Sequence, residues 1–131
     1  CRHNLAYWQR EDYLGIGLAA ASCWQNKRWV NTENWQTYTQ CWQNHTCAPY
    51  EEEVLTMGQV LAERIFLGLR LKNGICIAEI EEQFGVDLRT RFYKDMLPLF
   101  QNDLLAEKDG FWYLTQRGKL LANEVFAVFL P

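Results

Sequence analysis

The sequence predicts a mainly α-helical chain with one small β-hairpin, an α+β class, on three observations. Apolar residues recur at helical spacing through much of the chain after Glu51. An Asp109-Gly110 pair separates two short strand-like runs. Composition also changes near Pro49, so that residues 1–48 hold all but one of the six tryptophans, with many Asn, Gln and Thr.

The N-terminal part is aromatic-rich and weakly periodic, and a poor core by itself. YLGIGLAAAS, from Tyr13, reads as a short buried strand running into a small-residue turn, where backbone passes close to a neighbour. TENWQTYTQCWQN reads as a short amphipathic helix, with Thr32 as N-cap and Trp35, Tyr38 and Trp42 on one side.

EEEVLTMGQVLAERIFLGLRLKNG then predicts one long core helix, with Glu51-Glu52-Glu53 in its first turn and Gly74 just past its end. Its apolar face comprises Val54, Leu55, Val60, Leu61, Ile65 and Leu69. A shorter helix follows, with Ile77, Ile80 and Phe84 inward and Gly85 closing it. Asp87 caps a third helix through LRTRFYKDMLPLFQND, which Pro98 is expected to kink or split. Leu104–Lys108 and Phe111–Leu114 form the hairpin around Asp109-Gly110. Thr115 caps a closing helix with Leu120, Leu121, Val125, Phe126 and Phe129 inward. Three helices, a hairpin and a last helix make a winged-helix-like arrangement.

Charge and cysteine content narrow the function. The net charge is −3, and neither part is a basic polyelectrolyte: four Lys/Arg stand against three Asp/Glu before Pro49, and nine against thirteen after it. Nucleic acid is therefore not an expected partner. A DNA-reading winged helix would use Arg89, Arg91 and Lys94, but Asp87, Asp95 and Asp103 share that segment and the wing tip is net acidic. The five cysteines, Cys1, Cys23, Cys41, Cys47 and Cys76, show no CxxC and no iron–sulfur spacing, and read as reduced thiols of a cytoplasmic protein. No apolar run is long enough for a membrane span.

His3 and His45 are the two histidines and cannot by themselves close a zinc site. His45 lies near Cys47 in a polar loop, a spacing that is common without metal. His3 can ligate haem iron axially, with Tyr7 and Trp8 offering flat apolar surface beside it. The alternative is a histidine at a strand end bonded to backbone, with the aromatics filling an interface. The GxG of YLGIG lacks the third glycine of a nucleotide fingerprint.

RHNLAYWQREDYLGIG followed by RWVNTENWQTY resembles the latter part of oxygen-independent coproporphyrinogen III oxidase-like radical-SAM proteins, most closely the HemW-type haem chaperone branch. That family's HNxxYW stands intact as His3-Asn4-Leu5-Ala6-Tyr7-Trp8, and Tyr13-Leu14-Gly15-Ile16-Gly17 follows. AERIFLGLRLKNGI and FWYLTQRGKLLANEVFAVFL resemble its LGLRL and LTxxGxxLxNxVFxxFL segments. Where many members continue GPGAH or GAGAxS, this chain reads Leu18-Ala19-Ala20-Ala21-Ser22, which disfavours porphyrin-substrate chemistry more than haem carriage.

The resemblance implies the C-terminal third of a longer protein, and the absence of an initiator methionine agrees. Residues 1–48 would be the trailing segment of a radical-SAM partial barrel, and residues 49–131 a winged-helix-like C-terminal domain. The 4Fe-4S cluster and S-adenosylmethionine would belong to the N-terminal part, leaving this region without catalysis of its own. It implies haem as ligand, with His3 as iron ligand and Tyr7 and Trp8 beside it. The barrel and a haem-acceptor protein are the implied partners. Two alternatives are a domain shaping the substrate site of a true coproporphyrinogen oxidase, with Arg2, Lys27 and Arg28 receiving carboxylates, and a DNA-binding winged helix. Tryptophans meant for the barrel would leave an apolar patch and favour self-association.

Overall fold

The computed structural model describes residues 2–46 and 50–130. In chain order the elements are α1 (Arg2–Trp8), β1 (Ala21–Trp24), β2 (Lys27–Asn31), α2 (Trp35–Gln43), β3 (Tyr50–Val54), α3 (Met57–Gly68), β4 (Ile75–Cys76), α4 (Ile77–Phe84), α5 (Leu88–Gln101), β5 (Leu105–Lys108), β6 (Phe111–Leu114), α6 (Gln116–Leu120) and α7 (Ala122–Ala127). The fold is thus mixed α and β, with two three-stranded antiparallel sheets, β1-β2-β3 and β4-β6-β5. Two compact units result: Cys1–Arg10 with Met57–Pro131, and Glu11–Thr56. The expected boundary at Pro49 lies outside the described residues, as do Cys1, Cys47 and the Arg2 side chain.

The larger unit owns a continuous apolar core. Ile65 and Leu69 meet Ile75, Ile80, Leu88, Trp112 and Val125, all nearly or fully excluded from solvent. Each such side chain contributes about 1.5–3 kcal/mol by leaving water. α4 runs as expected and stops at Gly85, whose φ of 63° gives the left-handed cap. The Asp87 carboxylate accepts from the Thr90 N–H at the start of α5. That helix continues through Pro98 to Gln101 without splitting. Pro98 has no N–H to donate to the Lys94 carbonyl, so α5 forgoes one helical bond at that turn. The hairpin has the expected turn, with φ of 52° and 80° at Asp109 and Gly110.

Several expectations fail here. Glu51-Glu52-Glu53 do not open a helix; they lie in β3, where Glu52 and Glu53 pair in register with Trp29 and Arg28. α3 therefore starts at Met57, and Val54 is exposed. The two-residue β4 adds a third strand beside the hairpin, and Gly74 is required there because a Cβ would lie 1.9 Å from the Trp112 carbonyl oxygen. The closing helix breaks at Leu121 into α6 and α7. Gly118 forms the buried face of α6, and Leu120, about 200° further round the helix, is exposed rather than inward, as is Leu121.

The Glu11–Thr56 unit is organised by its sheet. Tyr13 bridges to Cys23, but Leu14 and Ile16 are exposed, so YLGIG is a loop leading to β1 rather than a buried strand. α2 forms where expected, with Asn34 in place of Thr32 as N-cap; the Asn34 side chain accepts from the Thr37 N–H. Thr32 acts one step earlier, its hydroxyl oxygen accepting from the Asn34 N–H. None of the α2 residues is buried, and all of β3 is exposed.

Candidate functional site

α1 carries the residues singled out around HNxxYW, and a helix replaces the strand end considered for His3. Positions four apart share a helix face, and the His3 and Tyr7 rings meet edge to face with centroids 4.9 Å apart. His3 is exposed and Tyr7 half-buried. Trp8 turns from this pair and lies under the Arg70 guanidinium, 5.4 Å from its ring centroid. Arg70 also covers Phe126 at 4.8 Å, which ties α1 to the core that follows α3.

Beyond α1, Arg10 is left-handed at φ 58° and its Nε donates to Glu63 of α3 at 3.1 Å. Both side chains are nearly buried, and Arg10 Nη2 has no hydrogen-bond partner among the described residues. The structure thus brings His3 and Tyr7 together and uses Trp8 and Arg10 to hold α1 against α3. A lone exposed imidazole with an aromatic flank can serve as an axial ligand; it cannot build a multidentate metal centre. Among the described residues no group of three or more His, Cys, Asp or Glu could hold a metal ion. His45 is exposed just past α2, and its companion Cys47 lies outside the described residues.

Of the basic side chains of the alternative readings, Lys27 and Arg89 are held in ion pairs. Lys27 Nζ donates to Glu52 at 2.9 Å, a contact that raises the pKa of the lysine. Arg28 pairs in register with Glu53. On α5, Arg89 donates from Nη1 and Nη2 to the two carboxylate oxygens of Glu107 in the wing, at 2.6 and 2.7 Å. Glu107 also accepts from Trp112 Nε1 at 2.9 Å. These bonds, Arg89 first, hold the Glu107 carboxyl below the usual carboxylate range.

The feature that sequence reasoning missed is a cleft in the Glu11–Thr56 unit lined by Trp29, Tyr38, Trp42 and Tyr50. Tyr38 and Trp42 are legible as neighbours on a helix; that Trp29 and Tyr50 would face them depends on strand register. Among the described residues no helix is long and apolar enough to cross a membrane.

Comparison with known proteins agrees with this architecture. The family model described as HemN C-terminal domain matches residues 55–121. Heme chaperone HemW of Bacillus subtilis (strain 168) is 32% identical over 129 residues, covering 98% of this chain and 34% of the relative. Heme chaperone HemW of Lactococcus lactis subsp. lactis (strain IL1403) is 31% identical over 133 residues, with the same coverage of 98% and 34%. The chain therefore spans about a third of the length of these relatives. Among solved structures, coproporphyrinogen III oxidase (HemN) from Escherichia coli, described as a radical SAM enzyme, superposes with a TM-score of 0.73. That match covers 91% of this chain and 28% of the other at 20% identity, a likeness of fold.

Proposed function

The chain belongs to the HemN C-terminal domain family, and we propose from that premise that it binds and helps transfer haem as an accessory region of a longer radical-SAM-type protein, without catalysis of its own. The observation that carries this reading is the His3–Tyr7 pair on α1: an exposed imidazole with an aromatic ring held edge-on at 4.9 Å. His3 would supply a nitrogen ligand to iron and Tyr7 would flank the macrocycle, while Trp8 would brace α1 through Arg70. When bound, haem supplies only an iron centre open to such a ligand. The protein's part is to present the imidazole at the surface and to fix its direction through α1.

In this reading residues 1–48 are the trailing segment of a radical-SAM partial barrel, and residues 49–131 a winged-helix-like domain with β5–β6 as the wing. The order α3, α4, α5, hairpin supports that description. The barrel, haem or a porphyrin, and a haem-acceptor protein are the proposed partners, in the cytoplasm. The 4Fe-4S cluster and S-adenosylmethionine are assigned to the portion of the longer protein outside this chain. The engagement of Lys27 by Glu52 and of Arg89 by Glu107 speaks against the substrate-site and DNA-binding alternatives.

A ferric haem titration of this chain and its His3→Ala variant, followed by absorbance, tests the proposal. Saturable binding is expected, weakened about tenfold or more without the imidazole, equivalent to about 1.4 kcal/mol. Equal affinity in the two proteins would remove His3 from the site.

A further inference from the structure

The haem reading of α1 makes no use of the aromatic cleft in the Glu11–Thr56 unit. Directly paired strand residues share a sheet face, so Trp29 and Asn31 of β2 lie on one face with Glu52 and Tyr50 of β3. Tyr38 and Trp42, one turn apart on α2, line the same cleft as Trp29 and Tyr50. Each wall is already an aromatic pair. Trp29 and Tyr50 have centroids 5.9 Å apart at 43°, and Tyr38 and Trp42 are 6.1 Å apart at 61°.

Asn31, Thr46 and the backbone-rich loop Gly15-Ile16-Gly17 complete the lining, and the loop is tied to the sheet. The Gly15 N–H donates to the fully buried Ser22 hydroxyl at 3.0 Å, and Asn31 Nδ2 donates to the Gly17 carbonyl at 2.8 Å. A Cβ on Gly15 would lie 2.2 Å from the Ala21 carbonyl oxygen, so only glycine lets this loop lie so close. The open cleft has a volume of about 390 Å³, within the roughly 300–1,000 Å³ of small-molecule sites.

Three properties define what such a cleft accepts. Its walls are ring faces and edges, which favour a flat, polarisable partner. The walls are poorly covered by the unit itself: Trp42 is 63% exposed, Tyr50 50%, and Ile16 at the lip 89%. The unit is also acidic, with Glu11, Asp12, Glu33 and Glu51-Glu52-Glu53 against Lys27 and Arg28, and the cation on the cleft face, Lys27, is held by Glu52. An anionic edge is therefore kept in solvent while an apolar face enters.

We propose that this cleft holds a porphyrin macrocycle by stacking, with its carboxylate edge outward and with no requirement for iron. The inference deepens the haem reading, on which it rests for the ligand class. It assigns ring recognition to Trp29, Tyr38, Trp42 and Tyr50 and makes it independent of His3.

The test is titration of the whole chain with an iron-free dicarboxylate porphyrin, read by porphyrin fluorescence polarisation. Trp42→Ala, Tyr38→Ala and His3→Ala variants run in parallel with ferric haem titrations. Trp42 is exposed on a helix with no buried residues, so its truncation leaves the fold intact, which circular dichroism checks. Saturable binding is expected for the unaltered chain and for His3→Ala. Trp42→Ala and Tyr38→Ala should each weaken it about tenfold, as loss of one stacking wall does. Unchanged affinity in both cleft variants overturns the inference. Haem binding through His3 with no uptake of iron-free porphyrin also overturns it, while leaving the haem reading intact. Failure of both porphyrins to bind removes both proposals. A dimer that Trp42→Ala dissolves, with no porphyrin bound, assigns the cleft to a second copy instead.

Discussion

Trp112 and Trp42 are the same side chain in opposite circumstances. Trp112 is 1% exposed, packed in the core of the larger unit, with its indole N–H donated to Glu107. Trp42 stands largely in water on a helix that buries nothing. The larger unit converts its apolar residues into stability. The Glu11–Thr56 unit, whose buried residues among those described are Ser22, Cys23 and Leu55, displays its aromatic rings as surface. Buried apolar surface and displayed aromatic surface are thus housed in different parts of one chain.

The largest test of this contrast is truncation at the core. Trp112→Ala should lower unfolding free energy by about 3–5 kcal/mol in urea melts, through the lost burial and the cavity left behind. A loss under about 1 kcal/mol would mean that this core is not what stabilises the unit. Next comes the anchor of α1. Glu63→Gln should cost about 3 kcal/mol, because it leaves the nearly buried Arg10 guanidinium without its charged partner. The same melts measure it, and a neutral result would show that the Arg10–Glu63 pair does not hold α1.

A smaller effect comes from the wing. The Glu107 carboxyl is held below its usual range in the folded protein, so the bond to Arg89 stabilises the fold at neutral pH. That contribution begins to fade as pH falls below the ordinary glutamate range and is gone once pH passes the depressed folded value. Arg89→Ala should flatten this acid shoulder in melts run from pH 7 to pH 3, and cost no more than about 1 kcal/mol at neutrality, as an exposed pair. A shoulder that survives in Arg89→Ala would assign it to other carboxylates. The smallest expected change is Trp42→Ala, within about 0.5 kcal/mol. A loss of several kcal/mol there would break the contrast, because it would show that the exposed aromatics hold the Glu11–Thr56 unit together.

Much of the larger unit was legible. Ile77 and Ile80 with Gly85 define α4, Asp87 caps α5, and Asp109-Gly110 turns the hairpin, because caps and turns are chemistry between near neighbours. His3 and Tyr7 share a face by helical spacing alone once α1 is a helix. The errors cluster where a long-range partner decides. Glu51 to Val54 have the look of a helix start, and become a strand because β2 offers unpaired backbone and Lys27 meets Glu52. Leu120 falls outside because the Gly118 backbone must lie against the Leu104 carbonyl.

The sequence by itself determined the family, the helical class of the region after Met57, its caps and its turn, and the HNxxYW residues that carry the haem proposal. The register of β1-β2-β3, and with it the meeting of Trp29 and Tyr50 with Tyr38 and Trp42, was decided by tertiary structure. A helix writes its face into residues three and four apart. A cleft between a helix and a sheet depends on strands far apart in the chain, whose pairing no local spacing encodes.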